Sequence, residues 1–348
     1  MKTIEVNFLE KVFETHQEKS LYGKWIHYAH ISPLLKSLSL NLEINIIGKS
    51  ENNLPIHSVK FGIGSKRILI WTQMHGNEST GTKALFDLLN YFSNSKDELI
   101  QTILRSCSIY CIPMLNPDGS LNYTRVNQNG VDLNRDAVDR KAKESKLLRS
   151  ILEEFDPMFC FNMHDQRTIF GVEGTVNPAT ISFLAPSEEQ TRKLTKGRKE
   201  TMDVIVSMNE LLQKIIPNHI GRYTDEFYPT ATGDNFQKLG YNTILIEAGH
   251  YPNDYDREQT RKYNFFALIQ GMYHIAISKT FNNYQSYFKI PNNQKNFFDV
   301  IRTSKEGFDR AYLFVDKVIN GTLVSELQLE KEGDLRNFIA HSIEVEKK

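Results

Sequence analysis

The amino-acid sequence predicts an α/β fold: a mixed, largely parallel central sheet flanked by helices, followed by a small β-rich C-terminal domain. Three observations carry that prediction. Short apolar runs of strand length alternate with helical patterns, chemically capable residues stand at the ends of those runs, and the texture of the chain changes after residue 290.

The apolar runs are residues 67–74 (RILIWTQM), 107–115 (CSIYCIPML), 158–163 (MFCFNM) and 243–248 (TILIEA). Near-continuous apolarity over so few residues describes strands covered on both faces, as in a largely parallel sheet. Between the runs, Ala84, Leu85, Leu88, Leu89 and Phe92 recur on one helical face, as do Leu147, Leu148, Ile151 and Leu152. Longer helices are expected across residues 188–216 and from Glu258 to about Lys279. Strands alternating with helices place helices on both faces of the sheet.

The first sixty residues, with Asn52, Asn53 and Pro55 as a turn, read as leading elements of a main domain covering residues 1–284. Residues 285–348 form the second, smaller domain. There the segments 310–317 (RAYLFVDK) and 322–329 (TLVSELQL) alternate in polarity and are punctuated by Asn320-Gly321 and Gly333-Asp334, which are hairpin signals.

Composition excludes several classes. Lys plus Arg and Asp plus Glu are 42 each, so no global field favours nucleic acid or an anionic membrane, and a charged ligand must be recognised locally. The N-terminal stretch MKTIEVNFLEKVFETHQEK lacks the apolar core of a secretory signal, and no segment approaches the eighteen or so apolar residues of a membrane span. A soluble, cytoplasmic protein is therefore expected; its oligomeric state is not legible. Cys107, Cys111 and Cys160 are odd in number and lie in apolar surroundings, which suits reduced core thiols.

In an open α/β sheet, ligands bind outside the carboxyl ends of the strands. His75, Asn116 and His164 follow the first three apolar runs, and Glu247 closes the fourth. His75 and Glu78 are spaced i and i+3 where a strand turns into a helix, so an imidazole nitrogen and a carboxylate oxygen can converge on one cation such as zinc. By itself the pair reads equally as a helix-capping arrangement. Asn116-Pro117-Asp118-Gly119 by itself reads as a turn.

Taken together, His75-x-x-Glu78, Asn116-Pro117-Asp118-Gly119, Thr124-Arg125-x-Asn127, Gly130-Val131-Asp132-Leu133-Asn134-Arg135, the strand-end His164 and the strand-end Glu247 resemble the zinc carboxypeptidase family related to carboxypeptidase A. The ordered match runs over about residues 70–249. The resemblance implies one zinc ion per chain held by His75, Glu78 and His164, with a fourth position open to water, as catalytic zinc sites require. It makes Glu247 the general base and Arg125 the group that stabilises the oxyanion. Asn134 and Arg135 become the binders of the substrate's C-terminal carboxylate, a task to which a guanidinium fork is suited. Asp132 would orient a ligand histidine, and Tyr228 matches the family's mobile tyrosine, with Tyr223 in reserve.

The chain departs from the family pattern at Asn77, where digestive members carry an arginine that helps hold extended substrates. Asp234 and Asn235 after Gly233 suggest a polar floor for the pocket that takes the C-terminal side chain. The function implied is a metallocarboxypeptidase acting on a peptide or small amide with a free carboxylate, without nucleic-acid or membrane partners. The alternative is an amidohydrolase resembling succinylglutamate desuccinylase or aspartoacylase, acting on N-acyl amino acids. Both share His-Gly-Asn-Glu and Asp-Leu-Asn-Arg; the joined Asn-Pro-Asp-Gly and Thr-Arg-x-Asn stretch favours the peptidase. Of the remaining histidines, only His250 draws attention, because it lies three residues beyond Glu247.

Overall fold

The computed structural model describes residues 1–38, 42–304 and 308–345. Its strands are β1 (Glu43–Lys49), β2 (Pro55–Phe61), β3 (Lys66–Trp71), β4 (Cys107–Ile112), β5 (Phe159–Asp165), β6 (Phe170–Val172), β7 (Ile181–Leu184), β8 (Ile220–Arg222) and β9 (Asn242–Ala248). Toward the C-terminus follow β10 (Asn293–Lys295), β11 (Phe297–Thr303), β12 (Asp309–Ile319), β13 (Thr322–Gly333) and β14 (Ile339–Val345). The helices are α1 (Val6–His16), α2 (Tyr28–Ser37), α3 (Thr80–Asn94), α4 (Glu98–Ser106), α5 (Pro117–Asn122), α6 (Lys143–Phe155), α7 (Lys196–Leu212), α8 (Thr232–Lys238) and α9 (Glu258–Ile277).

The large sheet runs β1-β2-β4-β3-β5-β9-β7-β8. Its centre is parallel across β4, β3, β5 and β9, while β1 and β2 at one edge and the β7–β9 pair are antiparallel. The four apolar runs are the four central parallel strands, and they are buried because both faces are covered. On one face α3, α4, α7 and α9 pack together. On the other, α6 and α8 close over Trp71, Tyr110, Leu148, Leu152 and Phe236. Helix α9 is buried on nearly every side, which explains why it shows no clear amphipathic stripe.

The long helix expected over residues 188–216 starts later, at Lys196. Thr195 caps it, its hydroxyl accepting from the Arg198 amide at 3.2 Å, so the preceding residues form a loop. Helix α3 begins at Thr80, ahead of the apolar stripe that announced it.

The strands β13-β12-β11-β14 form a separate sheet around Phe298, Ile301, Ala311, Leu313 and Leu335. Asn320 and Gly321 both have positive φ (50° and 76°) and close the β12–β13 hairpin, as the Asn-Gly pair predicts. This sheet is tied back to the main body: β10 pairs antiparallel with β6, and the Phe297 amide donates to the Ile169 carbonyl at 3.1 Å. Among the described residues, no helix is long and apolar enough to cross a membrane.

Candidate metal centre and active site

The chain leaves β3 toward β4 on one side, whereas β5, on the other side of β3, is followed by strands on the far side of the sheet. Adjacent strands whose connections depart in opposite directions leave a crevice at their carboxyl ends. His75 follows β3 and His164 closes β5, so this topology alone brings them face to face.

The loop carrying His75 is held in a strained form. Gln73 has φ 50°, in the left-handed region, and its side-chain amide donates to the Ile26 and Gly76 carbonyls at 2.7 Å each while its oxygen accepts from the Thr82 hydroxyl at 2.8 Å. Gly76 packs directly on Gly119; a Cβ there would lie 1.9 Å from the Gly119 carbonyl carbon. The Asn-Pro-Asp-Gly motif is thus more than a turn. Asn116 caps α5 by accepting from the Gly119 amide at 2.8 Å, and Pro117 occupies the first turn. Its glycine supplies the flat surface on which the His75 loop rests.

Three buried side chains converge. His75 Nδ1 lies 2.8 Å from Glu78 Oε1, His164 Nδ1 lies 2.7 Å from Glu78 Oε2, and the two Nδ1 atoms are 3.1 Å apart. Asp132 faces the other nitrogen of His75, Nε2, at 3.0 Å. As a carboxylate Asp132 accepts, so Nε2 carries the proton and Nδ1 turns a lone pair toward Glu78 and His164. Lone pairs and carboxylate oxygens gathered so closely repel one another unless a proton or a metal cation sits among them. The donor set, two imidazoles and a carboxylate, is one that zinc accepts, and all their ligand atoms fall within 4.8 Å of one another. Among the described residues, these three fit a metal ion.

The surroundings set the charges. Burial opposes ionisation of Glu78, yet His75 and His164 hold its carboxyl well below the usual range. Burial lowers His164, whereas at His75 the contacts to Glu78 and Asp132 outweigh burial and raise it. Arg125 donates from Nε to Asp132 Oδ2 at 2.9 Å and from Nη1 to Glu78 Oε1 at 3.3 Å, which ties it to two of the same carboxylates. Glu247 stands beside His164 on β9, and burial, then the negative charges of Glu78 and Asp165, hold its carboxyl well above the usual value.

These groups open into one cavity of about 600 Å³. His75, Glu78, His164, Glu247, Arg125, Asn134 and Arg135 all line it. Asn134 uses its side-chain oxygen to accept from the Thr232 amide at 3.0 Å, at the start of α8, and Arg135 is exposed, donating from Nη1 to the Asn134 carbonyl at 2.8 Å. Tyr228 does not line the cavity. It is half exposed, with its hydroxyl on Glu226 at 2.7 Å. Tyr223 lines the cavity instead and donates to Gln166 Oε1 at 2.8 Å. Sequence reasoning also missed Asp165, whose carboxylate accepts from the Thr80 amide and hydroxyl at 3.1 and 2.7 Å and so caps α3. Its position after a ligand histidine was the available signal. Lys24 and the cavity-lining residues of the C-terminal sheet carried no signal in the sequence.

The zinc carboxypeptidase family model matches residues 28–159, which include His75, Glu78, Arg125, Asn134 and Arg135 and end before His164 and Glu247. Carboxypeptidase E of Caenorhabditis elegans is 30% identical over 169 residues, covering 41% of this chain and 36% of that protein. Carboxypeptidase 2 of Trichophyton rubrum is 25% identical over 103 residues, 29% of this chain and 19% of that protein. The chain therefore spans well under half the length of these relatives. Carboxypeptidase A of Helicoverpa armigera has the same fold, with a TM-score of 0.58 at 16% identity, covering 79% of this chain and 81% of that one. A metallo-carboxypeptidase of Burkholderia cenocepacia gives a TM-score of 0.56 at 15% identity, covering 71% and 68%. Family match and fold together bear out the resemblance read from the motifs.

Proposed function

We propose that this chain, matched to the zinc carboxypeptidases in sequence and in fold, is a metallocarboxypeptidase that hydrolyses the C-terminal peptide bond of its substrate. The observation that carries the reading is the convergence of His75, Glu78 and His164 at the floor of a cavity also lined by Glu247, Arg125 and Arg135. In this reading His75, Glu78 and His164 hold one zinc ion, which when bound supplies Lewis acidity toward a carbonyl oxygen and toward water.

The chain's own residues do the rest. Glu247 takes the proton of the attacking water and hands it to the leaving amine. Arg125, fixed by Asp132 and Glu78, directs a positive charge at the oxyanion that develops on the carbonyl. Arg135, with an exposed guanidinium, takes the free carboxylate of the substrate, and Asn134 positions it from the adjoining turn. Tyr223, which lines the cavity, is better placed than Tyr228 to contact the substrate.

The test compares N-blocked dipeptides with N-acyl amino acids on the zinc-loaded protein and its Glu247→Gln variant. Turnover of the dipeptides, lost by about 10²–10⁴-fold in Glu247→Gln with zinc retained, is expected. Exclusive turnover of the acyl compounds would replace this reading with the amidohydrolase one.

A further inference from the structure

The wall of the cavity opposite the main body's own loops is built from the C-terminal sheet. Asp299 on β11 and Leu313, Phe314, Val315 and Asp316 on β12 all line the cavity that holds the candidate metal site. They lie outside the residues matched by the family model and outside the motifs that carry the resemblance.

Several contacts hold these residues in place. Asp316 forms an ion pair with Lys24 and also accepts from the Ser325 hydroxyl of β13 and from Tyr123 at 3.4 Å. Asp299 accepts from the Tyr255 hydroxyl at 3.0 Å, the Thr168 hydroxyl at 3.1 Å and the Phe314 amide at 2.8 Å, and it is buried. Phe314 meets the edge of the Tyr255 ring at 5.2 Å. His341 on β14 donates from Nε2 to the Thr168 carbonyl at 3.0 Å. Carboxylates, rings and backbone from β11, β12 and β14 therefore grip the N-terminal segment, the loop after His164 and the loop before α9. A seam tied by these ion-pair, hydrogen-bond and ring contacts is a fixed wall rather than a flap.

We propose that this wall limits the enzyme to short peptides, of two or three residues, ending in a free carboxylate; the inference rests on the carboxypeptidase reading above and names its substrate class. The size follows from the scale of the site: about 600 Å³ is that of a site for a small ligand. Extended chain advances about 3.3–3.6 Å per residue, so two or three residues span roughly 7–11 Å, the reach of a small-ligand site. A longer peptide would run its N-terminal part into Phe314 and the Lys24–Asp316 pair.

The experiment uses the zinc-loaded full chain and N-acetylated peptides of two, three, five and eight residues sharing one C-terminal dipeptide. Hydrolysis is followed by amine release, and binding to Glu247→Gln by calorimetry. The expected result is a drop of at least tenfold in kcat/KM and in affinity between three and five residues, with Phe314→Ala recovering at least fivefold on the longer peptides and leaving the dipeptide within twofold. Phe314→Val is the substitute should Phe314→Ala fail to fold, and the wild-type series decides the matter even without it. Equal rates and affinities at all lengths overturn the wall while leaving the carboxypeptidase reading intact. Failure of every peptide, short ones included, overturns that reading and the wall with it.

Discussion

His164 and Glu247 stand directly opposite each other in the parallel register of β5 and β9, one a candidate metal ligand and the other a candidate base. Neighbouring strands lie about 4.8 Å apart, so this register sets the distance between base and metal site without any loop. Glu247→Asp withdraws the carboxylate by one methylene. A displacement of about 1 Å can cost about 10²-fold in rate, so kcat is expected to fall by that order while zinc content, measured by elemental analysis, stays unchanged.

Asp132 holds the proton-bearing nitrogen of His75 at 3.0 Å and simultaneously anchors Arg125. Loss of such a partner typically costs about 10–100-fold in metal affinity. Asp132→Asn is expected to lower zinc affinity by that factor in competition with a chelator, with the fold intact by circular dichroism.

Arg135 is exposed in the cavity and spends one donor on the Asn134 carbonyl. Arg135→Ala is expected to raise KM for peptides with a free C-terminal carboxylate and to have no effect on residual binding of the same peptides as C-terminal amides. Equal loss on both would remove Arg135 from carboxylate recognition.

His250 is buried against His341 and Tyr255, and among the described residues its Nε2 has no partner. Burial, then the positive character of His341, Arg257 and Lys24, pushes its pKa down from 6.5 to about 2. Between those values the unfolded chain binds a proton that the folded chain does not. Stability from neutral His250 is therefore complete above pH 6.5 and declines as pH falls below it, by up to about 1.4 kcal/mol per pH unit. Urea unfolding at pH 7 and pH 5 is expected to show this decline in the wild type, with a shallower one in His250→Gln.

Arg261 on α9 and Asp87 on α3 form a fully buried pair at 2.6 Å, and Arg261 also donates to the Leu21 and Glu18 carbonyls at 2.5 and 2.8 Å. Removing one partner leaves an uncompensated buried charge, at a cost of about 3–5 kcal/mol. Arg261→Met is expected to destabilise by that amount in denaturant unfolding. Arg261→Met with Asp87→Leu is expected to recover part of it, because no charge is then stranded.

Much of this molecule was legible in its residues. The four apolar runs became the four central strands because a parallel sheet covered on both faces needs continuous apolarity, and Asn320-Gly321 named its hairpin because only such pairs accept two positive φ values in succession. His75, His164 and Glu247 could be picked out by type and by position near strand ends, with Glu78 three residues after His75, whereas Arg125, Asn134 and Arg135 emerged only through the family resemblance. Less local features were hidden. Strands β1 and β2 and the helix α1 carry patterns too mixed to separate from loop, and α9 is buried all round, so its sequence has no face to read.

What the sequence by itself determined is the set of chemical groups and the strand ends that present them, since those depend on local polarity and spacing. The tertiary structure alone decided which of them meet. The crossing of connections around β3 brought His75 to His164, and the register of β5 with β9 set Glu247 beside them. The β10–β6 pairing and the Lys24–Asp316 pair carried a C-terminal sheet of no evident chemistry onto the cavity, while Tyr228 was left outside it and Tyr223 within. Contacts between residues hundreds of positions apart depend on how whole elements pack, and no window of sequence contains that information.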